Sequence, residues 1–158
     1  QKEGGILRKI VCLALGLLPF GAGFGMNQWI LSHPETPVPY QGIGFAMLLS
    51  WAIVGFILCN KTISPLETAL RLNALGFLVL LALFVQTGSG AFWGNGLGIA
   101  TQLFFLPVLN IAVTLLPSAR QLSVLYAGCF VLLLLFSFAG ARTRRRRDTR
   151  FAHLFPEE

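Results

Sequence analysis

QLSVLYAGCFVLLLLFSFAG, residues Gln121–Gly140, carries no charged side chain and runs directly into ARTRRRRDTR, Ala141–Arg150. At ~1.5 Å per residue, about 20 helical residues span the ~30 Å hydrocarbon core of a bilayer. A soluble core helix is apolar along one stripe, whereas this stretch is apolar on every face. Arg142, Arg144, Arg145, Arg146 and Arg147 then form the cationic stop of a span that meets an anionic lipid surface. The stretch reads as a transmembrane helix followed by a basic, membrane-surface tail.

Working outward, a second apolar run, Leu97–Leu116, precedes it, and Pro117 and Ser118 separate the two. Ser118 to Gln121 has the spacing of a capping box, so the pair is expected to form a tight antiparallel hairpin. Leu97–Leu116 is the least apolar run, with Thr101, Gln102, Asn110 and Thr114, and Pro107 is expected to break it midway. Upstream, the uncharged linker Thr87–Gly96 carries Phe92 and Trp93 as interfacial anchors. Ser64, Pro65 and Glu67 open a third segment with a capping box and a proline at the first helical position. That segment ends near Gln86, and Glu67 pairs with Arg71 four residues on. Gly42–Cys59 is a plain span that stops at Asn60 and Lys61. The first run, Ile6–Leu31, holds Pro19, Gly21, Gly23 and Gly25, which predict a bend or unwound turn within Leu15–Gly25. Between the first two spans, His33–Gly42 is proline-rich and lacks Lys and Arg.

The expected fold is all-α: a polytopic membrane helix bundle of four to five segments, with segment four a candidate for re-entry. Residues 1–140 form one transmembrane domain and 141–158 a basic cytoplasmic tail. Composition agrees. Of 158 residues 55% are hydrophobic and 11% charged, with mean hydropathy +0.73, against about 25% charged in soluble domains. Six of the twelve Lys and Arg fall in Arg142–Arg150, so the net charge of +6 reports a tail. It does not describe a nucleic-acid-binding face. The chain opens at Gln1 without a methionine, which is the expectation for a trimmed chain with residues upstream. Its first run has no small-residue cleavage site and is expected to be retained. Cys12, Cys59 and Cys129 have no CxxC spacing and read as apolar space-fillers.

Five full crossings give a charge conflict, because six basic residues then fall on each face. If segment four enters and leaves on one side, eleven of the twelve become cytoplasmic, all but Arg120.

No Asp, Glu, Lys, Arg or His lies in the middle of an apolar run, which disfavours proton-coupled pumps and voltage sensors. Neither His33 nor His153 is inside a run, so histidine-ligated haem is disfavoured, and neither a metal motif nor another cofactor motif is present. A membrane enzyme would have to use loop residues such as His33, Glu35 and Tyr40, so the chemistry leans away from an enzyme. Neutral polar residues in the runs are expected to hydrogen-bond between helices, and Asn73, Gln102 and Asn110 are candidates for lining a ligand pocket. The sequon at Asn60 adjoins a face read as cytoplasmic and is discounted. Small-residue pairs at Gly21/Gly25, Gly42/Ala46, Gly90/Gly94 and Gly94/Gly98 are candidates for close helix packing. The functional expectation is a non-enzymatic subunit or scaffold, as a homo-oligomer or in a larger membrane complex, with anionic lipid headgroups at the tail. The alternative is a carrier or channel for an uncharged or lipid-like solute.

Overall fold

Long apolar runs can satisfy their backbone groups in lipid only as helices, and the computed structural model follows that rule. It describes residues 10–60, 63–90, 95–119 and 121–154, with the backbone alone at 89 and 151–154. The helices are α1 (Ile10–Ser32), α2 (Tyr40–Leu58), α3 (Pro65–Leu72), α4 (Ala74–Ser89), α5 (Gly96–Leu115) and α6 (Leu122–Leu154). There is no strand among the described residues. By length and composition α1, α2, α5 and α6 can each cross a membrane, and α3 with residues 74–88 forms a pair bent by 54°.

Local chemistry sets the ends. Ser64 Oγ accepts from the Glu67 N–H at 3.1 Å and starts α3 at Pro65. Asn95 Oδ1 accepts from the Gly98 N–H at 2.8 Å and starts α5. Gly90, with φ +71°, closes α4 in the left-handed region where glycine has no Cβ to clash. In α1 the disturbance expected near Pro19 is one tightened turn: the Leu17 N–H bonds to Ala14 O at 3.1 Å and the Phe20 N–H to Leu17 O at 3.0 Å.

The sharp break is in segment three, and segment four is continuous. The sequence had put both the break and the re-entrant turn at Pro107, but α5 runs through that residue from Gly96 to Leu115. The carbonyl that Pro107 leaves without its helix bond is that of Leu103. Its oxygen faces Gly23 of α1 so closely that a methyl there would overlap it. A neighbouring backbone therefore covers the gap and the helix is kept. The 54° bend falls instead at Asn73, which is neither proline nor glycine.

Glycine contacts fix the directions of the helices. Gly44 of α2 packs on Pro107 and Ile111, while Gly128 of α6 packs on Leu116 and Ala112. The early parts of α2 and α6 thus flank the same stretch of α5. Farther along, Gly55 meets the Ser137 carbonyl and Gly140 meets the Ala52 carbonyl. Both helices therefore run in the same direction, with α5 hairpinned against α6. Cys12, Leu58, Ile63, Thr68 and Arg71 line one small cavity, and Arg145 donates to the Ile63 carbonyl at 3.3 Å. The start of α1, the end of α2, the start of α3 and the arginines of α6 consequently share one end of the bundle.

Candidate functional site

Three arrangements carry polar or close-contact chemistry. The first is buried. Trp51 Nε1 donates to Asn73 Oδ1 at 2.9 Å, and Asn73 Nδ2 donates to Ala69 O at 2.8 Å and to Ser137 Oγ at 2.9 Å. Ser137 Oγ donates to Leu134 O at 2.9 Å. All three side chains are at most 3% exposed. In apolar surroundings a neutral hydrogen bond of this kind contributes on the order of 0.6–2 kcal/mol. The network ties α2, the α3–α4 bend and α6 together at one level.

Asn73 is therefore a fastener at the bend, with both amide protons and one lone pair committed inside the protein. Gln102 and Asn110 stand half-buried on α5, and no described contact joins either to Asn73. Ser50, Thr87, Thr101 and Thr114 donate to the carbonyl four residues back in their own helices. Sequence reasoning expected Ser50, Thr101 and Thr114 to bridge helices; a hydroxyl satisfied within its own turn does not need to. The signal for Trp51 was present but unread, since an indole N–H in an apolar run must find an acceptor.

The second arrangement is the set of packing glycines. Gly23, Gly44, Gly55 and Gly140 admit a neighbouring helix so closely that a methyl would overlap its atoms. Gly98, expected to pack, is buried, while Gly94 lies outside the described residues. Gly21, Gly25 and Gly42 have nothing within 4 Å of a Cβ position among the described residues. Two residues along a helix is ~200° around it, so Gly23 faces inward while Gly21 and Gly25 face out.

The third arrangement is at the arginine end. The helix continues across Gly140 and Ala141 without a break, so the tail is an extension of α6. Its arginines divide by helical face. Arg144 packs over the Phe56 ring with Cζ 5.4 Å from the centroid, and its Nε lies 3.2 Å from Asp148 Oδ1. Arg142, Arg145, Arg146 and Arg150 face another way. With Thr149 and Pro65 they line an open groove of about 540 Å³. All four are exposed, and among the described residues none has an acidic partner. The one carboxylate in the first turn of α3, Glu67, is paired with Arg71. The spacing of 142, 145, 146, 149 and 150 was legible as a single helical face, once the run was taken to be helical. Arg147 lies between the two faces, and Phe151 and Leu154 are described by backbone alone.

Among the described residues no three His, Cys, Asp or Glu side chains are grouped to hold a metal. The three cysteines are buried and unbonded to one another. His33 stacks on Trp29, with ring centroids 4.2 Å apart, and shares a 2.8 Å hydrogen bond with Ser32. Compared with known protein families, with characterised proteins and with solved structures, the chain matches none.

Proposed function

We propose that the chain is a non-enzymatic membrane subunit or scaffold that works by packing its helices against a partner or a second copy of itself. The observation that carries this reading is the outer face of α1. Gly21 and Gly25 are exposed, four residues apart on one face, with open space above both. Leu17, Leu18 and Phe24 beside them are about half exposed, at 51%, 48% and 56%. Such a face allows close backbone approach by another helix, while the chain's own packing uses Gly23. The test is the particle mass in mild detergent, compared with that of a Gly21→Leu, Gly25→Leu variant. A dimer or stoichiometric complex that falls apart on substitution supports the reading. A monomer unchanged by it removes the reading.

The bend at Asn73 favours one second reading, a carrier for an uncharged or lipid-like solute, because irregular backbone inside a bundle is where carriers hold solute. The commitment of Asn73 to Trp51, Ala69 and Ser137 argues for the first. A solute co-purifying with the monomer would favour the second.

The same proposal includes an orientation. If α5 and α6 each cross, then α5 begins at the arginine end, where α3 also began, so α3–α4 enters and leaves on that side. Moving the same-side segment from four to three keeps eleven of twelve basic residues together, because the one linker that changes sides, Thr87–Gly96, is uncharged. We read that face as cytoplasmic, with each surface arginine contributing about 1 kcal/mol of attraction to anionic lipid.

A further inference from the structure

The arginine groove has more definition than a charge run on a solvated tail. Of the arginines in and after the stop sequence, Arg144 is withdrawn from it by Asp148 and Phe56. Arg142, Arg145, Arg146 and Arg150 converge on one side, facing Pro65 at the start of α3. Arg145 is anchored there by its bond to the Ile63 carbonyl. Opposite the guanidinium groups stands a helix N-terminus, whose backbone dipole favours negative charge. Four cations around about 540 Å³ favour an anion of higher charge than a singly charged phosphodiester. A phosphomonoester carries roughly −1.5 to −2 and three acceptor oxygens, which planar guanidinium forks match.

We infer that the groove between Pro65 and Arg142, Arg145, Arg146 and Arg150 is a binding site for a phosphomonoester. The ligand is either a lipid headgroup of that class or a free phosphate ester. This inference is independent of the packing reading, since it uses other residues, at the arginine end of the bundle. It differs from general attraction of a basic tail to anionic lipid in two ways. It is specific for the monoester, and it depends on which arginines are present, not on how many.

The experiment compares three full-length chains in phosphatidylcholine nanodiscs: the unaltered protein, Arg142→Gln with Arg146→Gln, and Arg144→Gln with Arg147→Gln. Both variants lose two charges. Binding is measured by native mass spectrometry against phosphatidic acid and phosphatidylserine in the disc, and against glycerol phosphate in solution. The groove variant should lose phosphatidic acid affinity by about tenfold or more and the other by less than about threefold. Binding of phosphatidic acid alone identifies a lipid headgroup, and binding of glycerol phosphate as well identifies the ester itself. Equal losses in the two variants overturn the site, as does equal affinity for phosphatidylserine. No loss in either variant overturns it too. Circular dichroism of each variant separates lost binding from lost folding.

Discussion

Trp51 and Asn73 are joined by a 2.9 Å hydrogen bond across 22 residues of sequence, and that bond sits at the 54° bend between α3 and α4. The Asn73 backbone has φ −95° and ψ 8°, its N–H bonds to Ala69 O at 3.0 Å, and its side chain bonds to the same carbonyl. The bend is thus held by one side chain that reaches two other helices. Asn73→Ala should destabilise the protein by about 1–3 kcal/mol, because it orphans the Trp51 N–H in apolar surroundings. Combined with Trp51→Phe, the loss should be less than the sum of the single losses. Strictly additive losses in a reversible unfolding assay would show that the two residues do not act together.

The glycines divide by face, and so should their substitutions. Gly55→Val and Gly140→Val each force α2 and α6 apart and should cost about 1–3 kcal/mol or prevent folding, as overpacking does. Gly21→Leu should leave the unfolding free energy of the monomer within about 0.5 kcal/mol, as open surface positions do. A large loss at Gly21 in the monomer would mean that its face is covered within the chain.

Side-specific labelling tests the path of α3–α4. In a chain with its three cysteines replaced, single cysteines at Gly90 and Thr149 should label from the same side. Cysteines at Thr36 and Ser118 should label from the other. Labelling of position 90 with position 36 would make α3–α4 a bent crossing and return the six-against-six charge conflict.

The cysteines themselves should be unreactive. Cys12, Cys59 and Cys129 are 6%, 3% and 0% exposed, so maleimide should modify none of them until detergent or heat opens the bundle. Rapid modification of Cys129 in the folded protein would contradict the packing of α6 against α5.

The sequence already disclosed the apolar runs, the Ser64 cap, the Glu67–Arg71 pair and the hairpin between α5 and α6. Each follows from a local rule, either enough apolar length or a fixed residue spacing. What stayed hidden depends on partners distant in sequence. Pro107 looked like a break because the covering contact, Gly23 against the Leu103 carbonyl, comes from α1. Asn73 read as a candidate for lining a pocket because the partners that occupy its amide, Trp51 and Ser137, are on α2 and α6. Glycine spacing marked Gly21 and Gly25 but could not say that Gly23, between them, faces the core. The arginine groove was half legible: the run was plain, but its division into faces required the tail to be helical and α3 to stand opposite.

The continuity of α6 makes its two halves one mechanical part. Its 33 residues extend roughly 50 Å, well beyond the ~30 Å that the bilayer core occupies. With no hinge at Gly140, the direction in which Arg142, Arg146 and Arg150 point is set by how Gly140 seats against Ala52. A rotation of the half packed against α2 would turn the arginine face through the same angle, because no break in the helix separates them.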